Sequence, residues 1–157
     1  MGRMLGKLKR LARSITPHQA NPEDNWASTL LTREEFSVYI QMDPRDREHG
    51  TRVARTLQAD HPAADPELLA AAVLHDCGKS VRPYSVLERV LVGLVPYRFS
   101  EHIPAEGVKV RFAHPELGAE MLLQAGARTA VIELVRLHHH PESNPRAALL
   151  YQYDHLE

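Results

Sequence analysis

The sequence predicts an all-α protein, because helix-start signals recur along it and no strand pattern appears anywhere. Four such signals are present: Thr32-x-x-Glu35, Asp43-Pro44, Asp65-Pro66 and Asn144-Pro145. In each, a capping side chain precedes a proline or an acid that reaches back to the cap. Apolar residues then follow at spacings of three and four, which is the helical period. At 157 residues, the chain has room for one core of ordinary size.

Composition restricts the class of protein further. Hydrophobic residues make up 43% and charged residues 25% of the chain, which are globular values. The net charge of -1 provides no overall field for a nucleic acid duplex or a membrane. Ten histidines are conspicuous, because imidazole is the commonest metal ligand. The single Cys77 fits a reducing compartment, and no apolar run approaches the roughly 20 residues of a membrane span. We therefore expect a cytoplasmic protein.

Residues 1–31 are predicted to form a basic N-terminal helix and a linker. Met1–Ile15 places leucines at helical spacing among arginines and lysines, so this segment could touch anionic lipid or a partner protein. The simpler interpretation, which we favour, is an arm that packs on the domain or frays. Pro17–Ser28 is polar and lacks periodicity, which predicts a linker that Trp26 anchors to the domain.

The helices from Thr32 to Gln58 are predicted from their caps and apolar faces. The first begins at Thr32 and carries apolar residues as far as Met42. The second begins at Asp43-Pro44 and runs to about Gln58. His49 shares the face of this second helix that carries Val53 and Leu57, so His49 is expected to face the core.

An apolar helix ending in two metal-ligand residues organises the chain. Leu68–Asp76 is predicted to be helical, with alanines and aliphatic residues leading to His75-Asp76, and Gly78 is expected to end the helix before Lys79. Burying a histidine and an aspartate is costly unless something compensates, and a metal ion does so directly. A core histidine with satisfied hydrogen bonds beside a carboxylate is the other interpretation, and the pair alone does not decide between them.

The segment Ser80–Phe112 is less regular. Tyr84–Tyr97 is expected to form a helix with a buried apolar stripe, and Arg98–Ala113 a loop over the site. Lys109 and Arg111 in this loop could contact substrate phosphates or remain solvated charges. His102 is expected to be a surface residue.

Three further helices are predicted in the last third of the chain. His114-Pro115-Glu116 is expected to begin a helix that continues to Leu123, which would place the His114 imidazole at a helix N-terminus. Ala127–His139 is expected to form the next, and the last follows Asn144-Pro145 and carries Asp154. Consecutive residues turn by about 100° around a helix, so His138, His139 and His140 cannot all face inward.

The order of these histidines and aspartates resembles a known family pattern. His49, His75-Asp76, His114, His138-His139 and Asp154 follow the order H…HD…H…HH…D of the HD-domain (HDIG-type) metal-dependent phosphohydrolase superfamily. The segments that carry the resemblance are REHGTRVARTL, LHDCGKS, HPELGAEML, VRLHHHP and LLYQYDHL. The resemblance spans Thr32–Glu157, so residues 32–157 are expected to form one HD-domain helical bundle. His140 departs from the acid that many relatives have there.

The resemblance implies a binuclear metal centre. Its ligands would be His49, His75, Asp76, His114, His138, His139 and Asp154. Seven such ligands suit two ions, with Asp76 bridging a site of His49, His75 and Asp154 to one of His114, His138 and His139. The ions would be divalent or mixed-valence iron, manganese, cobalt, nickel or zinc.

The expected reaction is attack of a bridging hydroxide on phosphorus in a phosphoester or phosphoanhydride. Asp76 and Lys79 are the expected catalytic residues, with Lys79 steadying the phosphate charge; a structural ion pair or helix cap is the alternative role for Lys79. Lys79, Lys109 and Arg111 are the candidate substrate contacts. The substrate is expected to be a small phosphorylated molecule of nucleotide type.

Two other functions are compatible with the same resemblance. One is a diiron oxygenase, and the other is an inactive metal- or nucleotide-binding regulatory module. The doubled His138-His139 favours hydrolysis, because the oxygenases resemble one another in having a single histidine there. The intact ligand set argues against the inactive module. No GYP-type motif follows HHHP, which argues against cyclic-di-GMP as the specific substrate.

Overall fold

The computed structural model describes residues 20–81 and 106–157, including their side chains except those of 106–112. Within these ranges the chain forms α-helices and one 3₁₀ helix, and no strand, so the predicted all-α class is confirmed. The helices are α1 (Asp24–Leu30), α2 (Arg33–Tyr39), α3 (Pro44–Asp60), α4 (Pro66–Leu74), the 3₁₀ helix Cys77–Val81, α5 (Glu106–Ala125), α6 (Thr129–Leu137) and α7 (Pro145–Leu156).

Helix α4 is the centre of the bundle. It packs against α1, α3, α6 and α7, and every residue from Leu68 to Leu74 is buried. A helix that is apolar on all sides can exist only where neighbours cover each side. The chain leaves this helix at His75 and Asp76, so both side chains begin inside the core.

Two glycines allow the elements around α4 to come close together. A Cβ on Gly50 would lie 2.3 Å from the Val73 carbonyl oxygen, which is where α3 crosses α4. A Cβ on Gly78 would lie 2.0 Å from the His114 carbonyl oxygen, where the 3₁₀ helix meets α5. These close approaches hold His49 and Asp76 near their partners on the neighbouring helices.

The predicted helix starts agree with the observed caps. Thr32 and Glu35 form a reciprocal capping box before α2. The side chains of Asp43, Asp65 and Asn144 each accept a backbone N–H in the first turn of the helix that follows. Such caps depend on residues within one turn, which is why the sequence alone identifies them.

The predicted linker Pro17–Ser28 is wrong over its last residues, because α1 begins at Asp24. The helix is held by Ala27, which is fully buried, and by Trp26, whose ring lies 3.9 Å from the Arg55 guanidinium carbon. The predicted anchoring by Trp26 therefore agrees with the fold. The division between residues 31 and 32 stays a prediction.

The end of α4 also differs from the prediction. The helix ends at Leu74 rather than Asp76, and a 3₁₀ helix follows at Cys77–Val81. Gly126 is the only glycine with a positive φ in the described ranges, so Gly78 does not end the helix by adopting a left-handed conformation. The role of Gly78 is instead the close approach to His114.

The start of α5 is the largest difference. The helix begins at Glu106, so the predicted loop Arg98–Ala113 is wrong from residue 106 onward and Pro115 lies inside a helix. His114 is therefore inside the helix and not at its N-terminus, where it was predicted. Lys109 and Arg111 belong to α5, and their side chains lie outside the described part.

Smaller differences concern helix ends. The helix after Thr32 ends at Tyr39 rather than Met42, and α6 spans Thr129–Leu137 rather than Ala127–His139. The predictions for Met1–Ile15, Tyr84–Tyr97 and His102 fall outside the described residues. Within the described residues, no helix combines the length and apolar character that a membrane crossing requires.

Candidate metal centre

The residues predicted as metal ligands come from five helices and meet beside the C-terminal end of α4. His49 lies in α3, His75 and Asp76 follow α4, His114 lies in α5, His138 and His139 follow α6, and Asp154 lies in α7. Neighbouring imidazole rings have centroids 4.2–5.3 Å apart. Two sets of three side chains each bring their ligand atoms within 4.8 Å of one another.

The first set contains His49, His75 and Asp154. Asp154 Oδ1 lies 2.9 Å from His49 Nε2 and 3.2 Å from His75 Nε2. His49 and Asp154 are 105 positions apart in the chain, and the packing of α3 and α7 brings them together. The set combines two imidazoles and a carboxylate, a donor combination that suits zinc, iron or manganese.

The second set contains His114, His138 and His139. His114 Nε2 lies 3.1 Å from His138 Nε2. His138 Nδ1 lies 2.6 Å from the Val135 carbonyl oxygen. A carbonyl only accepts, so Nδ1 carries the proton and donates, and Nε2 of the neutral ring presents a lone pair. This orientation by a backbone carbonyl is typical of histidines that bind metal.

Asp76 lies between the two sets. Its Oδ1 is 3.3 Å from His114 Nε2 in the second set, and its Oδ2 is 3.5 Å from His75 Nε2 in the first. The side chain is almost fully buried. One carboxylate therefore reaches both groups of ligands, each with a different oxygen.

His75 provides a test of whether a metal ion fits this arrangement. Its Nδ1 donates to the Ala72 carbonyl oxygen at 2.8 Å, and its Nε2 is buried without a hydrogen bond of acceptable geometry. In the neutral ring Nε2 directs a lone pair toward the carboxylates of Asp76 and Asp154. Lone pairs facing anions in a buried site are unfavourable unless a cation lies among them. The residues thus fit a bound metal ion.

The pKa values of the second set favour neutral imidazoles. Burial lowers the pKa of His138 well below its usual value, and the surrounding histidines lower it further. Burial and the nearby His114 lower the pKa of His139 to about 4. Both rings are therefore unprotonated at neutral pH, which is the form that binds metal.

The electrostatics of the first set are different. Burial lowers the pKa of His75, but Asp76 and Asp154 outweigh it and raise the value to about 9. Burial opposes ionisation of Asp154, yet His75 and His49 hold its pKa well below the usual range. A proton on His75 supplies positive charge between the carboxylates, and a metal ion could supply that charge in its place.

Lys79 lies at the same carboxylate. Its Nζ is 2.5 Å from Asp76 Oδ2, and the side chain keeps 29% of its surface exposed. Burial lowers the pKa of Lys79, but Asp76 and Asp46 outweigh it and raise the value above its usual one. The structure therefore contains the ion pair with Asp76 that was the alternative role for Lys79. The partly exposed Lys79 side chain also lines the cavity described next.

A cavity of about 490 Å³ opens onto the cluster. Lys79 and five of the predicted ligand residues line it, together with three residues that the sequence reasoning did not single out: Asp46, Tyr151 and His155. Asp46 is three positions from His49, and Tyr151 is three positions from Asp154. Helical spacing from the ligands could have identified both.

The three consecutive histidines after α6 have different environments, as the helical geometry predicts. His138 is fully buried, His139 is partly buried, and His140 is exposed. The His140 ring lies 3.1 Å from Glu142, away from the two ligand sets. The structure therefore brings together all seven predicted metal-ligand residues and leaves His140 outside.

The family model described as HD domain matches residues 48–157, a range that contains both ligand sets and Asp76. No curated protein and no solved structure matches the chain.

Proposed function

The chain belongs to the HD-domain family, and we propose that it is a phosphohydrolase that uses a pair of metal ions to cleave a phosphoester or phosphoanhydride bond of a nucleotide-type substrate. Members of this family are generally metal-dependent hydrolases that act on phosphate substrates. Assignment to the HDIG type remains a prediction from the sequence HDCGK.

One observation carries the proposal: two sets of ligands flank a single carboxylate. Asp76 reaches His114 with one oxygen and His75 with the other. A mononuclear site would need only one of these sets. The neutral imidazoles of His138 and His139 and the ionised Asp154 supply the donors that iron, manganese, cobalt, nickel or zinc prefer.

Charge around the cavity supports metal dependence. Among the described residues, three aspartates and one lysine line it, namely Asp46, Asp76, Asp154 and Lys79. This lining alone repels a phosphate. When bound, two metal ions would reverse the local charge, polarise the phosphoryl group and lower the pKa of water.

The protein groups have separate roles in this proposal. Asp76 holds the two ligand sets in position relative to each other. Lys79, now paired with Asp76, is the cation able to turn toward a phosphate oxygen in the cavity, where it would stabilise developing negative charge. Contacts of Lys109 and Arg111 with the substrate phosphates remain part of the proposal.

The test combines metal content with phosphate release. Protein purified without oxygen is examined by elemental analysis and then assayed against nucleoside mono-, di- and triphosphates, by release of phosphate or pyrophosphate, and against phosphodiesters, by formation of the phosphomonoester. We expect about two metal ions per chain, and hydrolysis that a chelator abolishes and metal restores. His138→Ala and Asp154→Ala are each expected to lower metal content and activity. His140→Ala is the matched control, because this neighbour lies outside the cluster.

Several results would contradict the proposal. One metal ion or none, unchanged in His138→Ala and Asp154→Ala, would remove the binuclear assignment. Two irons with oxygen uptake and no phosphate release would identify an oxygenase. Two metal ions with neither reaction would indicate a regulatory module.

A further inference from the structure

Two aromatic side chains line the cavity beside the ligand cluster without belonging to it. Tyr151 and His155 are one turn apart on α7, and Asp154 of the first ligand set lies between them in the chain. Their ring centroids are 4.0 Å apart, with an interplanar angle of 34°. The proposed metal centre leaves both rings without a role.

The pair is held in place by its own helix. His155 Nδ1 lies 2.9 Å from the Tyr151 carbonyl oxygen, so the imidazole donates to it and its orientation is fixed. Tyr151 is partly buried, and the His155 side chain keeps 54% of its surface exposed. A fixed and accessible aromatic surface loses little conformational freedom when a flat ligand stacks on it.

The position of the pair defines what it could bind. Phosphate chemistry is expected at Asp76 and Lys79, whereas Tyr151 and His155 line the same cavity on the side of α7. A molecule with phosphate at one end and a flat aromatic group at the other would engage both. The cavity, at about 490 Å³, is within the range of small-molecule sites, which is roughly 300–1,000 Å³.

We propose that Tyr151 and His155 form a stacking platform that selects substrates whose phosphate is joined to a nucleobase-bearing sugar over substrates with the sugar phosphate alone. The inference rests on the proposed hydrolysis, since the metal centre would hold the phosphate end. Stacking on an aromatic side chain is tolerant of base identity, because every base has a π-face. The platform therefore selects the class of nucleotides rather than one base.

The test measures binding separately from hydrolysis, so both ligands carry a phosphonate, whose carbon–phosphorus bond is not hydrolysed, in place of the phosphate ester. The probe is this analogue of 2-aminopurine riboside 5′-monophosphate, whose fluorescence falls when the base stacks, and its competitor is the same analogue of ribose 5-phosphate, which has no base. The full chain is used with Zn²⁺, which is diamagnetic and does not quench. We expect the probe to be quenched and to bind about tenfold more tightly than the competitor, the usual scale of one stacked base.

Variants assign that preference to the platform. Tyr151→Leu is expected to abolish the quench and bring the ratio of the two Kd values near one, whereas Tyr151→Phe keeps both because it keeps the ring. His155→Leu is expected to reduce the preference. Gln152→Leu is the matched control, since Gln152 is exposed on the same helix and does not line the cavity. Circular dichroism and thermal unfolding verify that each variant is folded.

The outcomes separate this inference from the proposed function. Equal affinity for the two ligands in the natural sequence would overturn the platform, even if ribose 5-phosphate were hydrolysed and the phosphohydrolase proposal stood. A preference unchanged in Tyr151→Leu would also overturn it. A quench that depends on Tyr151 in a protein that hydrolyses no phosphate would uphold the platform and reject the hydrolase. If Tyr151→Leu did not fold, His155→Leu and the ratio in the natural sequence would decide.

Discussion

Lys79 and a metal ion would compete for the same carboxylate oxygen. Lys79 Nζ lies 2.5 Å from Asp76 Oδ2, and that oxygen is also the one directed toward His75. Two cations close to one oxygen repel each other, and the repulsion is strong in a buried site. A metal ion bound to Asp76 should therefore weaken the ion pair between Asp76 and Lys79, so that the Lys79 ammonium could bind a phosphate.

Lys79→Met tests this competition. Because the substitution removes the competing cation, we expect metal affinity to stay the same or rise. We expect kcat to fall about 100-fold, the usual scale for losing one group that stabilises transition-state charge. Metal affinity is measured by competition with a chelator, and kcat by phosphate release. Lys79→Arg keeps the charge and should retain part of the activity; weaker metal binding in Lys79→Met would contradict the idea.

The individual ligands could be predicted from the sequence only in part. Helical spacing placed His49 on a core-facing stripe and showed that the three histidines after α6 cannot share one direction. Helical spacing could not predict that His49 and Asp154, which are 105 positions apart, lie close together. Only the resemblance to a family pattern grouped them. Tyr151 and His155 were not singled out because that pattern does not include them.

Among the helices, the starts marked by a local side-chain cap were predicted, whereas the starts of α1 at Asp24 and α5 at Glu106 were not. Asp43, Asp65 and Asn144 cap their helices with their own side chains, so a few residues contain the whole signal. No such signal marks Glu106. A proline inside a helix costs about 3 kcal/mol or more, so His114-Pro115 indicated a start there. The observed helix α5 is longer than the predicted one, and it packs against α2, α6 and the 3₁₀ helix.

A buried ion pair joins α2 to the start of α6. Glu35 is fully buried, caps α2 through Thr32 N at 2.9 Å, and receives bonds from Arg128 Nε at 2.9 Å and Nη2 at 2.8 Å. Arg128 also donates to the Leu30 carbonyl oxygen at 3.0 Å. Burial raises the pKa of Glu35, but the Arg128 and Thr32 hydrogen bonds outweigh it and lower the value.

This pair predicts a pH-dependent difference between the natural protein and Glu35→Gln. A lowered pKa in the folded state means that the ionised pair stabilises the protein above the unfolded pKa, about 4.5, and that this contribution is lost as pH falls further. At pH 7 we expect Glu35→Gln to cost about 3 kcal/mol, as when a buried pair is broken. Urea unfolding at several pH values measures this difference in the free energy of unfolding. The difference between the two proteins should shrink as the pH falls below about 4.5 and through the lower pKa of the folded state, and a constant difference would contradict the assignment.

Gly78 sets how closely the 3₁₀ helix approaches α5. In Gly78→Ala the new Cβ would meet the His114 carbonyl oxygen at 2.0 Å, and backbone atoms cannot turn aside. We expect a loss of about 1–3 kcal/mol or more in urea unfolding, together with weaker metal binding because His114 moves. Gly118→Ala is the comparison, since its Cβ would meet the Cys77 side-chain sulfur at 2.9 Å and its nearest backbone atom, Gly78 N, only at 3.1 Å. If both substitutions lowered the free energy of unfolding equally, the contact with the His114 backbone would not explain the cost of Gly78→Ala.

For the whole molecule, the cluster is also where the helices are joined. Its ligands come from α3, the ends of α4 and α6, and from α5 and α7, so metal ions bound there would connect four helices to the central helix α4. Four of the seven ligand residues, His75, Asp76, His114 and His138, are buried close together, and the other three are partly buried. Without cations, such a cluster opposes folding through desolvation and repulsion. Metal should thus contribute to stability as well as to catalysis.

Thermal unfolding of the chelated and metal-loaded full chain tests that contribution. At a free Zn²⁺ concentration about 1,000 times its Kd, each ion that binds to the folded state alone would add about 4 kcal/mol. For a protein of this size each such ion raises Tm by about 8–16 °C. Zinc binding to the unfolded chain, which has ten histidines, reduces the rise. His140→Ala should show the same rise as the natural sequence, whereas His138→Ala combined with Asp154→Ala should lose most of it. An equal rise in the double variant would place the stabilising ion somewhere other than between these helices.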